Sequence, residues 1–456
     1  MIPIVTPEEM AAIDAAAPEP VEELIDRAGR ATARAALEML GGAYGRAVTV
    51  IAGKGNNGAD GRSAAGYLRQ RGVHVRVVDA AMRPPVLPAG DLIIDAAFGT
   101  GFRGDWVAPD ITGRDGNRPL VLAVDIPSGV DALTGAAGRG VLRADRTVTF
   151  QALKPGLVFG DGRRLSGEVT VADIGLDVGS ATCHLVERGD VAAWWEPRAA
   201  DAHKWQRAVR VVAGSAGMLG AGRLCAAAAA RTGAGLVALS SPGVDAHARD
   251  EIVERAIPGA DFAGDVLDDL HRFAALVVGP GLGRQEDTIA SVRELIAEAI
   301  VPMVIDGDGL FAAAWSADGA GPLVGSRELA TVVTPHDGEY AVLHGTAPAD
   351  DRIAAARSLA AELDCAVLLK GPATVVVGPD GAAYVIASGD ERLATAGSGD
   401  VLAGMVAALL ATGMAPERAA ASAAWLHGDA ALRGPSRGLL AGDLVDLLPV
   451  SLGALT

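Results

Sequence analysis

A glycine-rich segment near the end of the chain could both hold an anion and place an acid beside it. Residues 393–404 read LATAGSGDVLAG, with an apolar run following, and the chain has no Walker-type lysine loop. The backbone N–H groups from about Gly397 to Asp400 are expected at a helix N-terminus, which binds anions without a lysine. Asp400 is then either a first-turn acid stabilised by the helix dipole or a base that takes the proton from a hydroxyl attacking a phosphoryl group.

Five more glycine-bearing segments in the second half each follow a predicted strand or open a helix. One such segment is no more informative than an ordinary loop, but six at corresponding strand ends indicate a shared ligand site. The five are GSAGMLGAG (214–222), GPGLG (279–283), DGDGL (306–310), TPHDGE (334–339) and KGPAT (370–374).

In the first half, three predicted strands end in polar, glycine-bearing turns: GKGNNGADG (53–61), DAAFGTGFRGD (95–105) and DIPSGVD (125–131). Ligands of open parallel sheets bind outside the carboxyl ends of the strands, so these turns should meet at one crevice. GKGNNG alone is a weak match to a dinucleotide fingerprint and equally suits a tight strand-to-helix turn. The acid that follows it, Asp60, either caps the helix or contacts a ligand.

Carboxylates stand at two of these strand ends, Asp95 and Asp125. A buried charge there is costly unless it is paired or binds a cation or ligand. Asn57, Asp95 and Ser128 could supply hard oxygen ligands to a monovalent or divalent cation, and the alternative is that they cap neighbouring helices.

Apolar patterns along the sequence predict the helices and strands that must position these residues. Helices are expected over 7–17, which Thr6 and Glu9 open with a capping box, and over about 20–40. Six strands are expected in the first 175 residues and six more, followed by a hairpin around Pro379, Asp380 and Gly381, in the second half. Three helices are expected near 399–412, 415–432 and 441–447.

A change in composition at residues 190–205, rich in tryptophan and charge, places the domain boundary near residue 197. The predicted fold class is therefore α/β, with two doubly wound domains over 1–197 and 198–456.

Composition excludes several kinds of partner. The formal net charge of −17 argues against nucleic acid and anionic membrane surfaces, both of which need a basic footprint. No apolar run is long enough to span a membrane. The three cysteines lack metal-like spacing and suit small core positions in a reduced, cytoplasmic setting.

Together, the motifs of the first 197 residues resemble the epimerase domain, Rossmann-like in fold, of the bifunctional NAD(P)H-hydrate repair enzymes. The motifs are TPEEMAAID, GKGNNGADG, DAAFGTGFRG, AVDIPSGVDALTG and LKPG (153–156). The resemblance implies a potassium ion at Asn57, Asp95 and Ser128. It implies that the hydrated cofactor is contacted by Asn56, Asn57, Gly58, Ala59, Asp60, Gly99, Thr100, Gly101, Phe102, Arg103, Gly104, Asp105 and Asp125. Asp125 suits the catalytic role because exchange of the C6 hydroxyl needs a carboxylate that relays a proton.

The six segments of the second half similarly resemble the ribokinase-like dehydratase domain of those enzymes, over about 200–448. The implied reaction phosphorylates the C6 hydroxyl of the S hydrate, with ADP or ATP and Mg²⁺, and then eliminates phosphate to restore NADH or NADPH. The resemblance implies Ala221, Gly281, His336 and the acid/base residue Asp400 at the hydrate, and Lys370, Gly371, Pro372, Ala373, Thr374 and Gly399 at the nucleotide. The alternative for His336 is a hydrogen-bonded structural residue.

This sequence departs from the family pattern at a few positions. Ala59 stands for a glycine, Gly307 and Gly309 for alanines, and Asp337 for a proline. Asp390 stands for an asparagine and adds negative charge near the implied nucleotide.

Other functions are less consistent with the motifs. A ribokinase-like small-molecule kinase fused to a nucleotide-binding domain would explain GSGD but not the turns of the first half. A non-catalytic binding protein would not need Asp125 and Asp400, and an oxidoreductase would need a ribose-binding acid, for which Asp79 comes nearest. The expected partners are the small molecules NADHX, NADPHX and ADP, and a homo-oligomer is expected.

Overall fold

The computed structural model describes residues 1–455, and within them the chain divides into two compact units between Thr182 and Cys183. The composition change had placed this division near residue 197. Residues 183–185 belong with the second unit because they form a strand that pairs in parallel with residues 383–385 of that unit. Strand pairing, which composition does not reveal, thus sets the division.

The first unit contains one six-stranded parallel sheet, in the order β3-β2-β4-β5-β6-β7. All six predicted strands are present. They follow a short N-terminal strand, and the bounds are β1 Ile2–Ile4, β2 Ala47–Ala52, β3 His74–Asp79, β4 Leu92–Ala96, β5 Leu120–Val124, β6 Arg146–Phe150 and β7 Glu168–Ala172. The chain runs outward from β2 to β3 and then returns to the other side of β2, so the strand order reverses between β2 and β4.

The helices of the first unit are α1 Pro7–Ala16, α2 Val21–Leu40, α3 Asn56–Gln70 and α4 Gly160–Leu165. The predicted capping box at Thr6 and Glu9 opens α1. Helix α2 buries its apolar stripe, which includes Leu24, Ala28 and Ala35, against the sheet. Helix α3 begins inside the GKGNNG segment, so its N-terminus faces the sheet edge where β2 ends.

The second unit contains a larger sheet, in which most neighbouring strands are parallel. The strand order is β8-β17-β16-β15-β14-β13-β12-β9-β10-β11, and only β15/β16 and β16/β17 are antiparallel. The bounds are β8 Cys183–Leu185, β9 Ala208–Val212, β10 Leu236–Ser240, β11 Val253–Glu254, β12 Ala275–Val278, β13 Met303–Ile305, β14 Thr331–Val333, β15 Ala366–Leu369, β16 Thr374–Val377 and β17 Ala383–Ile386. The predicted hairpin is confirmed as β16 and β17. In this sheet the strand order reverses between β9 and β12.

Among the described residues of this unit, ten helices follow α5 Arg188–Trp194 along the chain. The last three of them confirm the predicted C-terminal helices. Every residue of α13 from Val401 to Leu410 is buried, which explains the apolar run after GSGD. The ten are α6 Leu219–Thr232, α7 Ala263–Leu270, α8 Glu286–Glu298, α9 Asp308–Ala313, α10 Gly321–Val324, α11 Asp337–His344, α12 Arg352–Leu363, α13 Ser398–Leu410, α14 Pro416–Arg433 and α15 Ala441–Gly453.

Two features of composition have structural counterparts. The three cysteines are buried, as core positions predict. Among residues 1–455, no helix is both long and apolar enough to cross a membrane.

Two candidate active sites

The first candidate site is a cavity of about 830 Å³ in the first unit, at the reversal between β2 and β4. A Cβ atom on Gly99 would lie 3.3 Å from the Asn57 side chain and 3.5 Å from Asp125 Oδ2, so the three predicted turns do meet. The predicted residues that line the cavity are Asn56, Asn57, Asp60, Gly99, Thr100, Gly101, Phe102, Arg103 and Asp125. Gly58, Ala59, Gly104 and Asp105 are outside its lining.

Close backbone packing explains why the first turn needs glycine at two positions. A Cβ atom on Gly53 would lie 1.9 Å from the carbonyl oxygen of Ala97, and one on Gly58 would lie 2.0 Å from the carbonyl oxygen of Gly53. Neither position has room for a side chain. The glycines of GKGNNG therefore bring the start of α3 close to the end of β4.

Asp125 is held by two hydrogen bonds, one of them from a buried ammonium group. Its Oδ1 accepts hydrogen bonds from Lys154 Nζ at 2.7 Å and Thr149 Oγ1 at 3.0 Å, and Lys154 is 1% exposed. Its backbone has φ of 66°, an uncommon conformation for a residue other than glycine. Lys154 lies in the LKPG motif, but nothing in that motif predicts that its ammonium group pairs with Asp125.

Asp60 lies in a different environment. It is 7% exposed and lines the cavity, yet no hydrogen bond joins its carboxyl group to a described residue. Burial, with Asp125 and Asp14 adding to it and Lys154 opposing it, raises the pKa of Asp60 to about 8. Since the N-cap of α3 is Gly55, Asp60 does not cap this helix, and its carboxyl group is available to a ligand.

Asp14, on α1, is a cavity residue that sequence reasoning missed. Burial raises its pKa, Lys154 opposes this effect and Asp125 adds to it. The cavity therefore gathers three carboxyl groups around one buried ammonium. The position of Asp14 could have been found only by knowing that α1 packs beside the crevice.

Two of the three predicted cation ligands are in direct contact. Ser128 donates to Asp95 through its Oγ at 2.6 Å and its N–H at 2.9 Å, and burial raises the pKa of Asp95 although these bonds oppose it. Both amide atoms of the Asn57 side chain are buried without a partner among the described residues. An oxygen-rich set with an unsatisfied amide fits a hard cation.

The second candidate site lies at the reversal between β9 and β12 in the second unit. Gly281 has φ of 62°, and a Cβ atom there would lie 2.9 Å from the Cβ of Ala221. Ser215 Oγ donates to the carbonyl oxygen of Gly281 at 2.9 Å, which ties the two turns together. The structure thus places the predicted residues Ala221 and Gly281 side by side.

A partly buried lysine, 20% exposed, joins the other segments of this site. Lys370 Nζ lies 2.9 Å from Asp306 Oδ1 and 3.4 Å from Glu339 Oε2, and a Cβ atom on Gly399 would lie 3.5 Å from it. Burial lowers the pKa of Lys370, but the two carboxylates outweigh this effect and raise it overall. Asp306 and Glu339 stand in quoted segments, yet the sequence did not single them out.

Asp400 lies in the first turn of α13, three residues after the left-handed N-cap Gly397, whose φ is 89°. Burial raises the pKa of Asp400 to about 7, and Asp306 adds to this while Lys370 opposes it. A carboxyl group that titrates near neutral pH is suited to take or give a proton.

The remaining predicted residues of this site have clear local roles. His336 Nδ1 accepts the N–H groups of Gly338 and Glu339 at 3.0 and 3.1 Å, so it caps α11, while 59% of its side chain stays exposed. Gly371, Pro372 and Ala373 lie in the turn from β15 into β16, and Ala373 is buried. Thr374 is the first residue of β16. His336 therefore fills the structural role, with ring surface left for a ligand.

The two acidic residues that depart from the family pattern, Asp337 and Asp390, each form an ion pair with an arginine. Arg392 holds Asp390 in a fork, with Nε 2.8 Å from Oδ1 and Nη2 2.7 Å from Oδ2. Arg352 Nη2 lies 2.9 Å from Asp337 Oδ1 and donates to the carbonyl oxygen of Lys370 at 2.8 Å. The negative charge that Asp390 adds is thus balanced locally.

Both halves match known families. Residues 209–449 match the family described as NAD(P)H-hydrate dehydratase, and residues 21–88 and 79–156 match the YjeF-related protein N-terminus. The chain is 37% identical to the bifunctional NAD(P)H-hydrate repair enzyme of Moorella thermoacetica, over 89% of this chain and 87% of the relative. It is 32% identical to the Escherichia coli enzyme of the same name, over 93% and 88%.

A solved structure resembles the second unit. It is the ADP/ATP-dependent NAD(P)H-hydrate dehydratase of Bacillus subtilis, co-crystallised with ATP and Mg²⁺. The TM-score is 0.51 at 26% sequence identity, over 60% of this chain and 98% of that one. With both halves matched and relatives aligned over most of its length, this chain belongs to the family of bifunctional NAD(P)H-hydrate repair enzymes.

Proposed function

We propose that this chain repairs hydrated NADH and NADPH, with an epimerase site in the first unit and an ADP- or ATP-dependent dehydratase site in the second. One observation carries the proposal. At the strand-order reversal of the first unit, Lys154 pairs with Asp125 and opposes the raised pKa of Asp60, which is about 8. At the reversal of the second unit, Lys370 pairs with Asp306 and opposes the raised pKa of Asp400, which is about 7. Proton transfer in both reactions would use such a group.

In the dehydratase site, Asp400 takes the proton from the C6 hydroxyl of the S hydrate as the oxygen attacks the terminal phosphoryl group of the nucleotide. The bond to the leaving phosphate of the nucleotide breaks, giving AMP from ADP or ADP from ATP. The ring nitrogen then donates its electron pair, the C6–O bond breaks to release phosphate, and C5 loses a proton to restore the double bond. Phosphorylation matters because phosphate leaves far more readily than hydroxide.

The nucleotide would be held mainly by charge and backbone amides. Lys370, Gly371, Pro372, Ala373, Thr374 and Gly399 are the proposed nucleotide-binding residues. The α13 N-terminus and the Lys370 ammonium would stabilise the charge of the transferring group. Mg²⁺ is bound by one or two carboxylates together with substrate phosphates, and Asp306 and Glu339 fit that requirement. Mg²⁺ would neutralise charge on the phosphates.

The hydrate would lie on the other side of the phosphoryl group, against Ala221, Gly281 and the exposed ring of His336. These two positions lie close together, since a Cβ atom on Gly281 would lie 2.9 Å from the Cβ of Ala221. This arrangement would aim the C6 hydroxyl at the nucleotide, and correct alignment of this kind is a large part of phosphoryl-transfer catalysis.

In the epimerase site, departure and return of the C6 hydroxyl would use two carboxyl groups of unlike character. Asp60, protonated at neutral pH, is suited to protonate the leaving hydroxyl. Asp125, held by Lys154 and Thr149, is suited to stabilise the cationic ring that remains and to guide the returning water. A potassium ion at Asn57, Asp95 and Ser128 would fix the first turn of α3, which carries Asn57.

Three further expectations stay predictions: a homo-oligomer, the potassium ion and a cytoplasmic location. The buried thiols of Cys225 and Cys365 support the cytoplasmic location.

The test uses purified R and S hydrates with ADP or ATP. We expect the S hydrate to regain near-ultraviolet absorbance only when a nucleotide is present, and the R hydrate to be converted as well. Asp400→Asn should lower dehydration by at least about 10³-fold and leave epimerisation nearly unchanged. Failure to regenerate the cofactor, together with phosphorylation of a sugar or vitamin alcohol, would establish the small-molecule kinase instead.

A further inference from the structure

An exposed arginine follows one of the turns that form the second candidate site. Arg284 comes directly after the GPGLG segment, three residues beyond Gly281, and 58% of its side chain is exposed. Its Nε donates to Asp308 Oδ1 at 2.8 Å. The central carbon of its guanidinium group lies 4.4 Å from the centre of the Phe311 ring. The group is therefore held at one edge by a carboxylate and on one face by an aromatic ring.

The carboxylate that holds Arg284 is itself fixed in place. Asp308 Oδ2 accepts the N–H of Gly283 at 2.9 Å, so one carboxyl group bonds to the backbone of one residue and to the side chain of the next. Since both of its oxygens are bonded, the carboxyl group sets the direction of Arg284 before any ligand binds.

The ion pair lies on two turns that both contribute to the second candidate site. A Cβ atom on Gly279, in GPGLG, would lie 1.9 Å from the carbonyl oxygen of Asp306, in DGDGL, so these segments are in direct contact. Asp306 in turn lies 2.9 Å from Lys370, the proposed partner of the transferring phosphoryl group. The turns that carry Arg284 and Asp308 therefore also carry residues of the proposed reacting centre.

The guanidinium group keeps its outer edge for a ligand. Neither Nη1 nor Nη2 of Arg284 donates a hydrogen bond to a residue within 1–455. These two nitrogens form the edge through which a guanidinium group pairs with two oxygens of a phosphate. The ammonium of Lys370, by contrast, is already paired with Asp306 and Glu339. Because the chain has a net charge of −17, an anionic dinucleotide needs a local cation of this kind.

We propose that Arg284 binds the diphosphate of the hydrated dinucleotide in the dehydratase site, through Nη1 and Nη2. The proposal rests on the proposed function. The hydrates of NADH and NADPH both carry a diphosphate between their ribose groups, so a cation that serves both must pair with this group and not with the 2′-phosphate. The diphosphate takes no part in the reaction. The contact therefore strengthens binding of the hydrate and leaves the chemical step unchanged.

The test compares the dehydration kinetics of two variants at this position. Arg284→Gln removes the charge, whereas Arg284→Lys keeps the charge but loses the paired donors. We expect Arg284→Gln to raise KM about 10- to 100-fold for the S hydrates of both NADH and NADPH, with kcat and KM for ADP changed less than about 3-fold. Arg284→Lys should recover only part of this loss.

Arg249→Gln is the matched control. Arg249 is similarly exposed, at 45%, and forms an ion pair with Asp446 at 3.3 Å. Its substitution removes the same charge from the second unit, and KM for both hydrates should stay within about 2-fold. An equal rise of KM in Arg249→Gln and Arg284→Gln would mean that net charge, and not a contact with Arg284, governs binding of the hydrate.

Four further results would overturn the proposal. They are an unchanged KM for both hydrates, a rise confined to the NADPH hydrate, a rise of equal size in KM for ADP, and full recovery by Arg284→Lys. A fall in kcat as large as the fall in kcat/KM would likewise assign Arg284 a structural role. All of these outcomes differ from failure of the proposed function, in which the wild type itself would dehydrate neither S hydrate.

Discussion

Asp60 and Asp400 show how burial prepares a carboxyl group for proton transfer. Each is largely removed from water near a second carboxylate, and each has a pKa raised into the neutral range, to about 8 and about 7. Asp125, by contrast, is bonded to a buried ammonium. Residues of one type thus acquire different roles from their surroundings, which sequence alone does not specify.

The raised pKa of Asp400 predicts the pH dependence of dehydration. As a base Asp400 must be ionised, so kcat/KM should fall as the pH drops below about 7. Asp306→Asn should move this acid limb to lower pH by about 1 unit, because it removes a negative charge that raises the Asp400 pKa and frees Lys370 to lower it. The measurement is a pH profile of NADH regeneration from the S hydrate.

The same shift has a consequence for stability. In the folded protein Asp400 keeps its proton up to about pH 7, whereas in the unfolded chain it loses it near 3.8. Its contribution to stability is therefore full below about pH 3.8 and is lost as the pH rises through 7. For the pH profile of dehydration, an acid limb of kcat/KM that stays in place or moves to higher pH in Asp306→Asn would contradict the claim that the charge of Asp306 raises the pKa of Asp400.

Among the secondary-structure elements, the turn after β2 contains two glycines, Gly53 and Gly55, whose substitution by alanine should destabilise the first unit to very different extents. A Cβ atom on Gly53 would lie 1.9 Å from the carbonyl oxygen of Ala97, whereas one on Gly55 would meet nothing within 4 Å. Gly53→Ala should lower the free energy of unfolding of the first unit by about 2–4 kcal/mol, and Gly55→Ala by less than about 0.5 kcal/mol.

Chemical denaturation of the whole chain, with hydrogen exchange of β2 and β4 to locate the effect, measures this difference. Equal costs for the two variants would mean that the turn relaxes around the added methyl group. In that case close packing of β2 and β4 would not explain the glycine at position 53.

Most of the elements could be predicted because their signals are local. The strands that surround both crevices are β-branched runs, and the helix starts carry glycine or capping residues, as at Thr6. The strands β1, β8 and β11 were missed because each is only two or three residues long and depends on pairing for its definition.

The sites were predictable to a lesser extent. The turns that form them could be found, since the carboxyl ends of parallel strands must share an edge. Asp14 and Lys154 could not be assigned, because their roles depend on which distant element each one packs against. The roles of the predicted site residues stay predictions until variants are measured.

For the whole molecule, the division into two units predicts that the two activities can be separated. All residues that line the first cavity belong to Ile2–Thr182, and all those assigned to dehydration follow Cys183. Each site is completed within its own unit. A substitution in one should therefore leave the chemistry of the other intact, provided that the hydrate leaves one site before it binds the next.

That expectation can be tested by mixing two inactive proteins. Asp125→Asn should lack epimerase activity and Asp400→Asn should lack dehydratase activity, so neither alone should convert pure R hydrate to NADH with ADP. An equimolar mixture should restore conversion to within about 2-fold of the rate expected from half the active sites, because the S hydrate made by one protein diffuses to the other. The rate of spontaneous epimerisation, measured with Asp125→Asn alone, is subtracted. A mixture no faster than that background, although Asp125→Asn dehydrates S hydrate normally, would mean that the hydrate passes between the two sites of one chain without release.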